Sequence, residues 1–482
     1  MAFISIFNDV LGPVMRGPSS SHTAGAYRIG LMVRDLLGGE PRTARVVFDP
    51  NGSMAPTWRP LGVDLAFTSG LMGWSMLDEQ YFDACDRARD EGVIVTFGES
   101  HLQHTDHPNG MLIEVAAADD HEVRVVAEAV GGGGIRIVRL DGRPVDLDGK
   151  AYCVIVEDEN AALAITCGAD PLDRDLSTIK KVWTAAPVFF VRRGDPLFAS
   201  AEEMVTLAED RGLSLGEIAL AYESELLGTT EDQAVEEMLG RYAVMERSVA
   251  AGLDDGQSNM LLLRSTASRV LMAEREERLA IGGVHTRAAA RALAVMHHCN
   301  SRGVVCAAPT GGSAGTVPGV VVSLVEEMDL SNRQTALALF AASAVGLIVA
   351  RRATFAAEIA GCQVEIGVAG AMAAAAVVEA VGGRARQAAD AAAISLQNTM
   401  GSPCDPVAGA CEVPCHTRNA VAASSAFTCA DLILGGYANP IPLDETIDAS
   451  YEVGKALPSE LRCTARGGCA VTPSALALRR LR

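Results

Sequence analysis

The spacing of apolar side chains changes near residue 195. Before that point, short β-rich runs at 44–48, 93–97 and 123–127 alternate with helical stretches and Gly/Pro/Asn turns, which predicts a mixed α/β lobe. Four consecutive glycines, Gly131 to Gly134, close this region and read as a flexible turn; no spaced Gly-x-Gly-x-x-Gly opens a helix there. Runs at 151–156 and 187–191 predict two further strands in a small α+β module or linker. From about Phe198 onward, Ala/Leu/Glu segments with helical periodicity dominate, at 201–210, 215–227, 232–251, 288–298, 333–350 and 367–381. Alanine on several faces of these segments predicts helices packed inside other helices. The expected fold is α+β: a mixed lobe over 1–150, a small module over 151–196 and a large Ala-rich all-α domain over 197–482.

Composition narrows the function classes. The 482 residues exceed what one core usually spans, and 49% hydrophobic with 21% charged residues excludes wholesale disorder. Sixty acidic against 40 basic residues leave a net charge of −20, which repels phosphate backbones and argues against a nucleic-acid partner. The first residues lack a basic segment ahead of their apolar ones, so no secretory signal is expected. The longest apolar stretch, 336–350, is shorter than the roughly 18 residues of a membrane span and ends at Arg351-Arg352. A cytoplasmic protein without a membrane partner is the expectation. Its twelve cysteines should then be thiols or metal ligands rather than disulfides.

Three constellations carry chemistry. In Gly17-Pro-Ser-Ser-Ser-His-Thr-Ala-Gly25, the hydroxyls of Ser19, Ser20, Ser21 and Thr23 flank His22 ahead of a probable helix. Hydroxyls and free N–H groups at a helix start suit a carboxylate, and an adjacent imidazole suits proton transfer; a serine-rich cap with an exposed His accounts for the pattern equally well. The stretch 308–319, with Thr310, Ser313 and Thr316, is a second anion-binding turn, without the Lys of a P-loop; turn chemistry alone explains it nearly as well. The third is Cys362, Cys404 and Cys415, each in a turn marked by proline or glycine. Thiolates so presented suit a soft metal or an iron–sulfur cluster, although any one of them alone reads as inert burial. Cys411 reads as a buried structural thiol. His416 either approaches the Cys415 site or faces solvent. His101, His104 and His107 imitate a zinc pattern, but Pro108 breaks the helix that would align them.

These segments resemble the iron–sulfur-dependent L-serine dehydratases (L-serine ammonia-lyases) with their β and α regions fused. The resemblance is carried by 17–25, His107-Pro-Asn-Gly110, 308–319, Gly-Cys-Gln-Val-Glu-Ile-Gly at 361–367, and Cys-Asp-Pro-Val-Ala-Gly at 404–409. Val-Pro-Cys-His-Thr-Arg-Asn-Ala at 413–420, the 454–462 segment and Gly467-Gly468 extend it, in the same order and at similar separations. It implies a [4Fe–4S] cluster held by Cys362, Cys404 and Cys415, with the fourth iron left as a Lewis acid for the substrate hydroxyl. A base removes the α-proton, water leaves, and the enamine hydrolyses to a keto acid and ammonia without pyridoxal phosphate. His22 is then the candidate for proton transfer, with Ser20, Ser21 and Thr23 beside it. Ser19, Ser53, His107, Asn109, Thr310, Ser313 and Arg351 would hold the substrate. The 151–196 region falls where such proteins often carry an ACT-like module, and the Ala-rich helices suit a homodimer.

Departures from the family pattern fall on the substrate side. A usual Gly-His-Gly-Thr-Asp stretch reads Pro60-Leu-Gly-Val-Asp64, so Leu61 replaces an imidazole and Val63 a threonine. Loss of one general acid or base costs about 10²–10⁴-fold in rate. A glycine-rich turn has become the bulkier 258–266 segment, and an Asn/Ser-rich run has become Arg351-Arg352-Ala-Thr-Phe. Cys463 and Cys469 replace an expected Glu and Leu; Cys463 either caps the open iron or is a spare thiol. The reading is a lyase eliminating water from L-serine or a similar β-substituted small L-amino acid. Its rivals are a relative turned to another substrate, elimination or cyclisation in secondary metabolism, and a non-catalytic redox sensor. The retained hydroxyl loops argue against the sensor.

Overall fold

The computed structural model describes residues 3–119, 121–157, 162–172, 181–254, 256 and 259–478. These form two compact units, Ser20–Arg193 and a second that joins Met1–Ser19 to Gly194–Arg482. The fold is mixed α+β, and the helix-rich unit resumes where the periodicity changes. The first nineteen residues, expected in the mixed lobe, pack with the helices instead. Their apolar run explains this: Ile6, Phe7, Val10 and Leu11 are buried in the helical core, with the Phe7 and Phe340 rings 6.1 Å apart. The strand β1 (Val14–Arg16) follows them.

In the sheet unit the order is α1 (Gly25–Leu37), β2 (Pro41–Phe48), α2 (Met54–Thr57), α3 (Val63–Met72), α4 (Ala84–Asp90) and β3 (Ile94–Glu99). Then come β4 (Gly110–Ala117), β5 (Glu122–Gly131), β6 (Gly134–Leu140), β7 (Arg143–Leu147), β8 (Tyr152–Glu157), β9 (Leu163–Gly168) and β10 (Val182–Ala185). A six-stranded sheet runs β3-β2-β4-β5-β6-β7, with only β2 and β3 parallel. Alternation sets its faces. Val123, Val125, Ala127 and Ala129 are buried, whereas Arg45, Glu114 and Arg124 meet in cross-strand register as ion pairs of 3.1 and 3.5 Å. The glycine run is a tight hairpin turn rather than a flexible one. Gly132 and Gly133 have φ of +58° and +81°, which only glycine adopts freely, and Arg28 of α1 donates to the Gly133 carbonyl at 2.6 Å.

A separate three-stranded antiparallel sheet, β10-β8-β9, lies in the same unit. Two expectations are corrected here. Residues 187–191 form no strand; Phe189 instead packs under the Arg28 guanidinium, 4.0 Å from its ring centre. Cys153 and Cys167 are disulfide-bonded although only thiols were expected, because antiparallel pairing of β8 and β9 sets the two residues directly opposite each other.

The helical unit contains α5 (Ala201–Arg211), α6 (Leu215–Leu227), α7 (Glu231–Gly252), α8 (Ala267–Arg275), α9 (Val284–Asn300), β11 (Val304–Cys306), α10 (Thr316–Met328) and α11 (Asn332–Arg352). These are followed by α12 (Ala357–Ala360), α13 (Ile366–Ala380), α14 (Ala385–Gln397), α15 (Cys415–Leu434), α16 (Leu443–Ala456) and α17 (Pro473–Ala477). It is not purely helical, since β1 pairs antiparallel with β11. Capping boxes start α6 at Ser214/Glu217, α7 at Thr230/Gln233 and α11 at Ser331/Gln334. The small side chains of α13 let it lie buried against α10, α11, α14 and α15. Asn332–Arg352 and Cys362–Ala380 are long and apolar enough to cross a membrane, but 78% and 89% of their apolar windows are buried inside the protein, as core helices are.

Glu223 of α6 ties the N-terminal segment to this core. Its carboxylate accepts from the Ser5 hydroxyl at 2.5 Å and from the Ile6 and Phe7 amides at 2.8 and 3.1 Å. Burial outweighs these bonds and pushes its pKa up from 4.5 to about 7. A carboxyl raised in this way contributes stability that is present below pH 4.5 and lost as pH rises through 7. Wild type is therefore expected to lose roughly 3 kcal/mol relative to Glu223→Gln across that window. Denaturant unfolding of both proteins at pH 4.5 and 8 checks this, and parallel pH profiles would refute it.

Candidate active site

In the helical unit three chain segments bring the predicted cysteines together. Cys362 opens a 3-10 turn, Cys362–Val364, between α12 and α13. Cys404 lies in an extended turn whose amide donates to the Leu461 carbonyl at 2.8 Å, while its own carbonyl accepts from the Cys463 amide at 2.8 Å. Cys415 is the first residue of α15, directly after Pro414. All three are buried in one cluster, with Cys411 and Cys463 packed against it. None of the five is disulfide-bonded. Cys411 is partly buried against this group.

Among the described residues, the one group of donors close enough to share a metal ion is Cys362, Glu365 and Cys404, whose ligand atoms lie within 4.8 Å of one another. These residues are placed to bind a metal. The donor set suits a thiophilic one, since soft thiolates select zinc, copper(I) or iron–sulfur centres. A hydrogen bond from Cys404, assisted by the Arg418 charge, holds the Cys362 thiol below its usual range. Cys404 is pushed well up by its contacts with Cys362 and Cys463 and by burial, and Cys415 by Cys411 and burial. The buried Nδ1 of His416, next to Cys415, and Nε of Arg462, next to Cys463, have no hydrogen-bond partner, as expected beside a group that the polypeptide does not itself supply. His416 is buried, and its pKa is lowered to about 3 by that burial and by the His297 ring 5.3 Å away.

The 308–319 turn is joined to this cradle. Thr310 donates to Glu365 at 2.8 Å, and Ser313 donates to the Ala308 carbonyl at 3.1 Å. Asn419, one turn into α15, donates to the Gly312 carbonyl at 2.9 Å and accepts from Thr316 at 2.9 Å. Burial and the Cys362 sulfur hold the Glu365 carboxyl well above its usual range. Gly17 packs so closely on Cys299 that a Cβ there would lie 2.1 Å from the Cys299 carbonyl oxygen, so this position admits glycine alone. The Cys299 thiol in turn reaches the Gly311 carbonyl at 3.5 Å.

Glu412 anchors the loop before Cys415. Its carboxylate accepts three successive amides, Leu261 at 2.6 Å, Leu262 at 2.9 Å and Leu263 at 2.8 Å. The bulkier segment noted in the sequence is therefore wrapped around a buried carboxylate, although its Ser258 lies outside the described residues.

In the sheet unit a second constellation forms. Ser20–Ala24 is a π-helical turn leading into α1, while Ser19 belongs to the helical unit, so the motif divides between Ser19 and Ser20. His22 is buried rather than exposed, with Nδ1 3.2 Å from the Ser21 hydroxyl and Nε2 3.3 Å from that of Ser53. Burial lowers its pKa to about 4 against a hydrogen bond from Ser53, so the ring is neutral at pH 7. The Ser53 amide donates to the Pro108 carbonyl at 2.7 Å, the Asn109 amide to His107 Nδ1 at 3.1 Å, and Asn109 Nδ2 to the Ala129 carbonyl at 3.2 Å. Thr23 donates to the Leu61 carbonyl at 2.9 Å, which sets the substituted position directly against the hydroxyl turn.

Of the two arginines that end α11, Arg352 is engaged within the protein: Asp448 binds it through two hydrogen bonds of 2.5 and 2.9 Å, and Asp444 lies 3.6 Å away. Arg351 precedes it in the last turn of that helix.

The sequence profile described as serine dehydratase alpha chain matches residues 210–470. The probable L-serine dehydratase alpha chain of Bacillus subtilis is 37% identical over 278 residues, covering 58% of this chain and 93% of that protein. This chain belongs to the L-serine dehydratase family. That family consists of lyases. Relatives that match both units include the L-serine dehydratase of Streptomyces coelicolor at 29% identity, over 97% of this chain and 98% of its own length, and L-serine dehydratase 2 of Escherichia coli at 28%, over 94% and 96%.

For this serine dehydratase family member, the residues that local motif reading passed over are Glu365, Glu412, Asp405 and Arg418. Spacing held a signal for three of them. Glu365 and Arg418 stand three residues after Cys362 and Cys415, and Glu412 three before Cys415, which brings side chains to one side of a turn or helix start.

Proposed function

We propose that this protein is an iron–sulfur-dependent lyase that eliminates water from L-serine, or from a similar small L-amino acid with a leaving group on its β-carbon. The observation that carries the reading is the convergence of Cys362, Cys404 and Cys415 in one buried cluster, linked through Glu365 to the Thr310 hydroxyl turn. Cys362, Cys404 and Cys415 would hold a [4Fe–4S] cluster, which when bound supplies a Lewis-acidic iron for the departing hydroxyl. Thr310 and Ser313, fixed by Glu365 and by Ala308, offer hydroxyls for a polar substrate. The Ser20–Thr23 turn offers hydroxyl and amide donors for a carboxylate, and neutral His22 is in the protonation state that accepts a proton. Once water has left, the enamine tautomerises and hydrolyses in solution to pyruvate and ammonia.

The position of Leu61 favours a second reading, a relative turned to another β-substituted amino acid. Its carbonyl accepts from Thr23, so the position that departs from the family pattern lies against the hydroxyl turn. Anaerobic reconstitution with iron and sulfide, followed by L-serine, decides between the two. Pyruvate and ammonia formation that disappears in air supports serine dehydration. A full cluster spectrum without pyruvate supports the second reading, and failure to assemble any cluster refutes both.

A further inference from the structure

Arg418 lies three residues after Cys415 on α15, yet its side-chain contacts are with the Cys404 segment. Its Nη1 donates to the Pro403 carbonyl at 2.7 Å and pairs with Asp405 Oδ1 at 2.8 Å, and these residues flank Cys404. Asp405 is 2% exposed, and its other oxygen accepts from the Cys469 amide at 2.7 Å. Arg418 and Cys362 also line one cavity of about 580 Å³ between α13, α14 and α15, with Asn398, Thr399, Ser402 and Thr417 on its walls. The Cys362 edge of the cradle therefore faces a space large enough for solvent, and Arg418 is the cation that stands there.

We propose that Arg418 is a positioning residue for the cluster: from the Cys415 helix its side chain ties down the Cys404 segment and, sharing a cavity wall with Cys362, holds a positive charge, balanced by Asp405, beside the cysteine cradle. The inference rests on the proposed cluster but not on the identity of the substrate. Its physical basis is that charge and hydrogen bonds around a cluster's sulfurs set the reduction potential, and that second-shell partners govern metal retention.

The test uses full-length protein reconstituted anaerobically, without serine, and compares wild type with Arg418→Met, Arg418→Lys and Asp405→Asn. Reduction potentials are read by EPR-monitored titration. Removing the positive charge disfavours the added electron, so Arg418→Met shifts the potential negative. Removing the negative charge shifts Asp405→Asn positive, and Arg418→Lys stays near wild type. In air the Arg418→Met cluster bleaches roughly tenfold faster, within the range of second-shell losses. A fully loaded Arg418→Met protein with the wild-type potential, or shifts of Arg418→Met and Asp405→Asn in the same direction, would overturn the proposal. Should Arg418→Met not load, an unmoved or negative-going potential in Asp405→Asn overturns it alone. A wild-type protein that takes up no cluster refutes the functional reading instead, so the two failures are distinct.

Discussion

Exchange of Cys404 for alanine is expected to leave a folded chain that retains no iron–sulfur centre and no turnover. Cys404 sits between Cys362 and Cys463 and shares the compact donor group with Cys362 and Glu365. Losing its sulfur removes one of the three thiols proposed to hold the cluster. The fold should survive, because a buried cysteine packs as a small hydrophobe and its truncation costs about 1 kcal/mol. Cys306→Ala is the matched control. That thiol is equally buried, but it lies in the main helical core, where burial pushes its pKa up to about 12. Iron and sulfide analysis of both reconstituted proteins checks the expectation. A Cys404→Ala protein with wild-type iron content would exclude Cys404 as a ligand.

The largest expected loss of stability is for Glu412→Ala. The substitution leaves the Leu261, Leu262 and Leu263 amides without their acceptor in a site where Glu412 is 2% exposed. A buried donor without a partner costs about 1–3 kcal/mol, so three partly rehydrated amides place the loss near 4 kcal/mol. Glu412→Gln keeps one carbonyl acceptor and should lose about half as much. Because Glu412 stands three residues before Cys415, metal retention should fall in the same order as stability. Thermal unfolding of the metal-free variants, with iron content measured in parallel, tests both parts. An alanine variant as stable as wild type would mean that the 261–263 segment is held by other contacts.

Much of this was legible along the chain. The helices at 201–211, 215–227 and 332–352 follow from apolar periodicity opened by Ser caps, with Gly caps closing the first two, signals that are local and strong. The cysteines stood out because each lies in a turn that proline or glycine marks. The Cys153–Cys167 bond was not legible, since it depends on the register of β8 against β9, a pairing that no spacing along one strand reveals. The ion pairs of Arg352 were likewise not legible, since they depend on α16 placing Asp444 and Asp448 against it.

The amino-acid sequence by itself determined the change from β-rich to helical character, the ligand thiols and hydroxyl turns, and the family to which they point. These rest on residue type and local spacing, which propensity and covalent geometry read directly. Only the tertiary structure decided that the first nineteen residues join the helical core, that the motif at 17–25 divides after Ser19, and that Glu365 links Thr310 to the cysteine cradle. It also decided that buried Glu412 binds the 261–263 amides and that Arg418 pairs with Asp405 beside Cys404. Their roles depend on burial and on partners distant in sequence, and a charged side chain's chemistry is set by the groups that surround it once water has been excluded.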